Sequence, residues 1–460
     1  MHRHDEDAEE LTRAVVRYAI DRVRMQSPPL DGPVSPDELR RRAGETITDD
    51  GIGGDEALRI FSDVLAPACI SIDHPRFLSF IPAAPTEAAV LFDLVVGASS
   101  IYGGSWLEGG GAIYAENETL AWIARLAGMP KSTGGVFVSG GTAGNLSALL
   151  AARHQWRRLA DGRLDRARGL IVASKGAHSS VAQARGRWTP TWHCDADERD
   201  RLSGAAVRAL VDGLDEDDLE RLFAIVATAG TTNAGVVDDL AGAADVAVEN
   251  GVWFHVDGAY GAAALAAPSV REHFVGIERA DSLILDPHKW LFAPFDACAL
   301  LYRDPEAGRA AHTQQAEYLD VLHPVAEPGQ EPGPWNASDF AHHLTRRARG
   351  LPLWFSLATH GTRAYEEAVE TTLLVVREGA DVIRGAEHLE LIMEPELSIL
   401  LFRRTGWNAE QYQLWSDRML AEQIAFVTPT KWGDETVLRL CVVNPLTTVE
   451  DISLLVEMLA

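Results

Sequence analysis

Trp253-Phe254-His255-Val256-Asp257-Gly258-Ala259-Tyr260, followed by Asp281-Ser282-Leu283-Ile284-Leu285-Asp286-Pro287-His288-Lys289-Trp290, sets the reading of the whole chain. Each is a short apolar run that ends in charged or polar residues. Gly135–Ser139, Leu170–Ala173, Leu222–Ala227 and Ala297–Tyr302 have the same apolar character. Ala-rich amphipathic stretches lie between them, so the chain from about Pro85 to Asp304 reads as strands alternating with helices. Near-continuous apolar strands suit burial on both faces. This predicts a mainly parallel sheet wrapped by helices, an α/β architecture whose ligand site lies at the carboxyl ends of the strands. The polar clusters fall there.

Outward from this segment the pattern changes. Leu11 to Met25 carries Leu11, Val15, Tyr18, Ile20 and Val23 at close to helical spacing, and Ser35-Pro36-Asp37-Glu38 has the form of a capping box that starts another helix. Residues 304–350 contain Glu-Pro-Gly-Gln-Glu-Pro-Gly-Pro-Trp and nothing periodic, which predicts a long mobile loop. A helix is expected after Leu351, then strands in LELIMEP, LSILLFRR and ETVLRLCVV separated by helices, forming a smaller α+β domain. The expected division is a helical arm over 1–84, a large domain over 85–350 with its loop at about 304–350, and a small domain over 351–460.

Composition limits the partners. The 460 residues include 67 acidic and 41 basic side chains, a formal charge of −26 that repels phosphate backbones and anionic lipid, so neither nucleic acid nor a membrane is expected to bind. Cys69, Cys194, Cys298 and Cys441 are far apart without a C-x-x-C spacing, which suggests buried thiols and neither a disulfide scaffold nor a cysteine zinc site. The start of the chain is polar and acidic, and no apolar run reaches the roughly 18 residues of a membrane span, so a cytoplasmic enzyme is the expectation.

Only four of the basic residues are lysines: Lys131, Lys175, Lys289 and Lys431. Lys289 alone follows a buried strand, where a lysine can become a neutral nucleophile as an arginine cannot. Ser139-Gly140-Gly141-Thr142-Ala143-Gly144-Asn145 runs from a strand into a helix and has the small residues and free N–H groups of an anion cradle, although a tight turn also wants glycine. His255 and Asp257 share one strand face. They suit either a metal site that needs further ligands, such as His288, or an aspartate paired with a buried cation. His178 follows the run Leu170–Ala173. Taken together, an anion cradle, a carboxylate, a lysine and a ring that can stack are the parts of a pyridoxal 5'-phosphate site.

The ordered set SGGTAGNLSALLAAR, AHSS, TAGTTNAGVVDDL, HVDGAYG, DPHKW and VLRLCVVNPLTTVEDI resembles the group II pyridoxal phosphate-dependent amino-acid decarboxylases, from about His74 to the C-terminus. The resemblance implies a fold-type I enzyme with a seven-stranded-type sheet, assembled as a homodimer with shared active sites. It implies Lys289 as the Schiff-base lysine, Asp257 as partner of the pyridinium nitrogen and His178 as the stacking imidazole. Ala259 matches the small residue under the ring, Gly141 and Thr142 the phosphate-binding turn, Thr232 a threonine near the reactive side, and His288 the histidine before the lysine. The implied reaction is decarboxylation of an L-amino acid through a Schiff base and a quinonoid to an amine. The alternative is oxygen-dependent decarboxylation and deamination to an aldehyde.

The chain departs from the family in two places. Several relatives have asparagine where this chain has Asp286, close to the phosphate, so the acid must face away, carry a proton or be offset by nearby donors. The loop tyrosine thought to protonate the substrate carbon is missing from Trp335-Asn336-Ala337-Ser338-Asp339-Phe340-Ala341-His342-His343-Leu344-Thr345-Arg346-Arg347, where Ala337 or Phe340 takes its place and His342 and His343 offer acids. His74 to Pro82 resembles the segment that lines the side-chain pocket. Phe80 in it and Gly104 further along suggest an aromatic or large apolar substrate; Arg76 reads as a surface arginine or, instead, as a partner for an acidic side chain.

Overall fold

The computed structural model describes residues 5–160, 168–184, 191–194, 196–322 and 335–460. Seven strands form the large sheet: β1 (Gly134–Val138), β2 (Leu170–Ser174), β3 (Thr191–Cys194), β4 (Leu222–Thr228), β5 (Trp253–Asp257), β6 (Ser282–Leu285) and β7 (Cys298–Tyr302). Their order is β1-β7-β6-β5-β4-β2-β3. β7 runs antiparallel to both its neighbours and the other pairs are parallel. The carboxyl ends of six strands therefore share one edge. At β1 the sheet closes against backbone: a Cβ on Gly135 would lie 1.8 Å from the Leu300 carbonyl oxygen.

The six apolar runs read from the sequence are six of these strands. β3 was not among them, because Trp192 and His193 are exposed in this edge strand and leave no apolar run to see. Alternate side chains fill two cores. Phe254, Val256 and Leu283 pack on one face of the sheet, and Val136, Val138, Ile171 and Ile284 on the other. Helices Glu87–Ser99 and Trp106–Leu126 come before β1, so the strand and helix alternation begins later than the sequence pattern suggested.

A second, antiparallel sheet of order β10-β11-β9-β8 uses β8 (Leu389–Leu391), β9 (Ile399–Arg404), β10 (Thr430–Trp432) and β11 (Glu435–Cys441). Val376 and Ile383 from helix Thr362–Gly385, Trp415 and Met419 from Ala409–Ala421, and Ile452 and Leu455 from Val449–Glu457 cover it. Leu78 joins this core, and its backbone bonds Phe426 O and Cys441 N tie the segment to the small sheet. Near the N-terminus, helix Glu6–Val23 has no buried residue, and Arg22 anchors it to Asp73 at 2.7 Å. Ser35 caps helix Pro36–Ala43 by accepting from Glu38 N, but Glu38 pairs with Arg41, so only half of the expected capping box is recorded.

Two other expectations need correction. The stretch after Asp304 is not uniformly loop, since Pro305–His312 is helical with Asp304 as its N-cap. Pro-Gly-Glu residues 323–334, expected to be mobile, lie outside the described residues. Cys69 is exposed, whereas Cys194, Cys298 and Cys441 are buried. Among the described residues no helix is long and apolar enough to cross a membrane.

One buried ion pair ties residues 346–350 to the helix Trp106–Leu126. The Arg346 guanidinium donates to Glu116 at 2.7 and 2.8 Å and to Gly103 O at 2.6 Å, and Gly350 N donates to Glu116 at 2.8 Å. Both side chains are almost fully buried. Removing one partner strands the other charge. Glu116→Ala is therefore expected to cost about 3–5 kcal/mol in equilibrium denaturation; a loss below about 1 kcal/mol, the range of an exposed pair, would contradict this account.

Candidate active site

A cavity of about 580 Å³ opens at the shared carboxyl edge of the large sheet. Gly141, Thr142, His178, Thr232, Asp257, Ala259, His288 and Lys289 all line it, so the structure brings together the eight residues that the resemblance assigns to the cofactor. Sheet order explains the convergence. Asp257 ends β5 beside Thr228 of β4, Lys289 lies in the short helix Pro287–Trp290 just past β6, and Gly141 opens the helix Gly141–Leu159 after β1. Lys131, Lys175 and Lys431 are exposed and do not line the cavity.

The placement of Asp257 depends on a chain of hydrogen bonds whose direction is fixed. The Trp253 indole can only donate, and it donates to Ser282 Oγ at 2.8 Å. Asn145 Nδ2 donates to Asp257 Oδ2 and to Ser180 Oγ, both at 2.8 Å, which leaves its Oδ1 to accept from His255 Nε2 at 2.8 Å. His255, neutral through burial, then accepts at Nδ1 from Ser282 Oγ at 2.8 Å. Ala259 N donates to Asp257 Oδ1 at 3.1 Å. Ser180 in turn donates to His178 Nδ1 at 2.8 Å, and Ser180 N donates to the same atom at 3.2 Å. The His178 ring is thereby held with Nδ1 as an acceptor.

This network bears on the metal reading of His255 and Asp257. Both nitrogens of His255 are engaged, by Asn145 and Ser282, which leaves no lone pair for a metal. Among the described residues no group of three or more His, Cys, Asp or Glu side chains could hold an ion. Asn145 and Ser180 were not singled out from the sequence. The available signal was spacing, because Asn145 lies four residues after Gly141 and so on the same helix face as the turn that meets the cavity.

At the other end of the cavity Lys289 Nζ lies 2.9 Å from Asp286 Oδ2, which also accepts from Gly141 N at 3.3 Å. Burial pushes the Lys289 ammonium down, but Asp286 outweighs it and holds the group above its usual range. His288 is pushed down by burial and bonds Ala297 through Nδ1. Thr228 Oγ1 and Asp286 Oδ1 are buried without hydrogen-bond partners, and the helix Gly141–Leu159 has no side-chain cap. The cavity thus offers an amine, unsatisfied polar atoms and first-turn N–H groups.

In the single chain the residues read as a side-chain pocket do not line this cavity. Arg76 bonds Ile424 O and pairs with Asp451 at 3.3 Å, bracing the small domain. Phe80 is exposed and packs its ring near Phe426. A Cβ on Gly104 would lie 2.5 Å from the Tyr102 ring, so Tyr102 occupies the space that a side chain there would take. None of the three lines the cavity, whereas Phe295, Asp296 and His342, which the pocket reading did not use, do line it.

The neutral His255 gives a prediction about acid. Burial pushes it from the usual 6.5 down to about 4, so between these values the unfolded chain binds a proton that the native network refuses. Stability contributed by this group is present above about pH 6.5 and is lost as pH falls toward 4. His312, at about 4, and His343, at about 3, add to the same acid limb. Denaturation from about pH 7 to about pH 4.5 should show stability falling, with a shallower fall in His255→Gln. Equal slopes in the two proteins would remove His255 from the account.

The chain matches the pyridoxal-dependent decarboxylase conserved domain over residues 36–405. It is 30% identical to an aromatic-L-amino-acid decarboxylase of Bacillus atrophaeus, with 97% of this chain and 93% of that one covered. Its fold is similar to the crystal structure of Oryza sativa TDC with PLP and tryptamine, at a TM-score of 0.89 and 24% identity over 100% of this chain and 98% of that one. It is also similar to Rhodiola rosea 4-hydroxyphenylacetaldehyde synthase, at a TM-score of 0.83 and 20% identity over 98% and 96%. With the domain match spanning most of its length and a lysine, a carboxylate and an anion cradle in one cavity, the chain belongs to the pyridoxal-dependent decarboxylase family and is a pyridoxal phosphate-dependent carboxy-lyase of fold type I.

Proposed function

We propose that this enzyme releases the α-carboxylate of an aromatic or large apolar L-amino acid as carbon dioxide and returns the amine, working as a homodimer. The observation that carries the reading is the meeting of Lys289, Asp257, His178 and the Gly141 turn in one cavity. The residues present fit the cofactor. The helix N-terminus at Gly141 and Thr142, whose N-cap Gly140 has no side chain to cap it, suits its phosphate, Asp257 faces the cavity with a fixed acceptor geometry for a protonated ring nitrogen, and Lys289 supplies the amine that anchors it. When bound, pyridoxal phosphate supplies an electron sink for the bond that breaks at the substrate carbon.

The chain's own residues do the rest. Asp257 keeps a proton on the ring nitrogen, and the relay from Trp253 stops the carboxylate from turning away. His178, oriented by Ser180, provides a flat face, while Ala259 keeps the opposite side shallow. Thr232 and His288 complete the wall. Among the described lining residues there is no arginine to meet an acidic side chain, and Arg76 is committed to Asp451, which favours a neutral substrate. The aromatic specificity named for the Bacillus relative agrees with this.

Amine or aldehyde depends on how fast the substrate carbon is protonated. Neither residue in the place of the loop tyrosine serves as an acid. Ala337 is buried, and Phe340 is buried and stacked on Trp335 at 4.0 Å. His343 is also unsuited, since burial pushes it to about 3 and it stays neutral. His342 lines the cavity with Nδ1 2.9 Å from Ser147 Oγ, and we assign it the proton. The synthase from Rhodiola rosea shares the fold, so the fold alone does not choose between the products.

Incubation of the pure enzyme and pyridoxal phosphate with aromatic L-amino acids in air is expected to give carbon dioxide and amine without ammonia or peroxide, and Lys289→Arg should abolish turnover. His342→Gln is expected to raise the aldehyde fraction at least tenfold, the effect of about 1.4 kcal/mol on the protonation barrier. Stoichiometric ammonia and peroxide from the unmodified enzyme would overturn the amine reading, and an unchanged product ratio in His342→Gln would remove that histidine.

The homodimer reading is supported by exposed apolar side chains. Leu91, Leu94 and Val95 lie on helix Glu87–Ser99, and Trp106, Leu107 and Tyr114 on helix Trp106–Leu126; both helices pack on Leu351–His360. Light scattering is expected to give about twice the 50.0 kDa chain mass. A fully active monomer would exclude a shared site.

A further inference from the structure

We propose that Asp286 is the proton acceptor that frees the Lys289 amine, and that it keeps the proton while the cofactor phosphate lies beside it. The inference rests on the cofactor assignment above and extends it to a carboxylate that the reaction as described does not use. Asp286 is 2% exposed. Its Oδ2 takes both the Lys289 ammonium, at 2.9 Å, and the first N–H of the helix Gly141–Leu159, at 3.3 Å. Its Oδ1 is buried with no hydrogen-bond partner. The carboxylate therefore sits on the helix N-terminus assigned to a phosphate, and it holds the lysine in its unreactive form.

Both features obstruct cofactor capture. An ammonium has no lone pair with which to attack a carbonyl group. Two anions that share one small site cannot both stay charged without a large cost. One proton transfer removes both obstacles. The N–H bond at Nζ breaks and an O–H bond forms at Asp286 2.9 Å away, so an ammonium and a carboxylate become an amine and a carboxylic acid. Net charge is unchanged and no co-reactant is needed. The neutral acid can then donate a hydrogen bond to the phosphate.

The surrounding groups leave Asp286 as the acceptor. On its own turn, His288 lies with Nε2 3.7 Å from Asp286 Oδ2, is neutral through burial and is engaged by Ala297 through Nδ1. From β7, the Cys298 thiol is held protonated by burial, by the Asp286 charge and by its own hydrogen bond to Asp286, so it is a donor to the carboxylate and not a rival acceptor. From β5, Asp257 adds its field, but its two oxygens already accept from Asn145 and Ala259. From the helix Gly141–Leu159 only a backbone N–H faces the group.

The test is an infrared difference spectrum of the cofactor-loaded enzyme minus the cofactor-free enzyme. The carbonyl stretch of one protonated carboxylic acid is expected to appear, to shift when aspartate carboxyls carry carbon-13, and to be missing from cofactor-loaded Asp286→Asn. The unmodified labelled enzyme carries the test even if the variant folds poorly. Absence of the band in loaded enzyme, or its persistence in Asp286→Asn, overturns the proposal while leaving the cofactor reading intact. If pyridoxal phosphate forms no borohydride-fixable adduct at Lys289 at all, the cofactor reading itself fails.

Discussion

The Asp257 carboxylate accepts from Asn145 Nδ2 and so turns the amide oxygen to the His255 Nε2 proton, which sets the direction of the bonds back through Ser282 to the Trp253 indole. The relay uses four separate parts of the chain: Trp253, His255 and Asp257 from β5, Ser282 from β6, Asn145 from the helix after β1, and Ser180 from the turn after β2. It closes only if β5 lies beside β6 with His255 opposite Ser282, which is the observed register. A slip of one residue would turn Asp257 to the other face of the sheet. Strand pairing and site geometry are therefore one constraint, and the buried polar chain rewards only the correct sheet. Fully satisfied networks of this kind specify a structure more than they stabilise it.

The same arrangement reconciles an acidic protein with an anionic cofactor. The chain carries a net charge of −26, yet the cavity offers an anion a helix N-terminus and an ammonium. The two buried aspartates there differ in what restrains them. Asp257 accepts from an amide and a backbone N–H, neither of which can give up a proton at ordinary pH, so it acts as a fixed acceptor. Asp286 accepts from an ammonium, which can, and one of its oxygens has no partner. A difference in partners thus gives two like residues two unlike capacities.

Much of this was legible in the sequence because it depends on local chemistry. Six strands appear as apolar runs, and the lysine, aspartate and glycine turn follow three of them directly. What the sequence obscured depends on contacts between distant segments. β3 is an edge strand with exposed Trp192 and His193, so burial leaves no run to detect. Helix Pro305–His312 is masked by a neighbouring stretch rich in Pro and Gly. Arg76 looked available to a substrate until Asp451, far along the chain, was placed beside it. Gly104 looked like room for a substrate, but the room is filled by Tyr102, two residues away. Asn145 sat unnoticed inside a glycine-rich turn, although helical spacing already put it on the face of Gly141.

The segment after the missing loop tyrosine shows how far residue type alone can mislead. Phe340 looks like a direct replacement for the tyrosine, yet its ring stacks on Trp335 within a core cluster, and its carbonyl accepts from Tyr302. The hydrophobic gain of burying that ring fixes the backbone just before the two histidines. Adjacent residues in a non-helical segment then point different ways, so His342 reaches Ser147 and the cavity wall while His343 turns inward among Arg346 and Arg349. In sequence the two imidazoles are equivalent acids. Burial and neighbouring positive charge push the His343 imidazole down to about 3, whereas His342 lines the cavity. The packing of Phe340, which performs no chemistry, is what brings one imidazole to the cavity wall and turns the other from it.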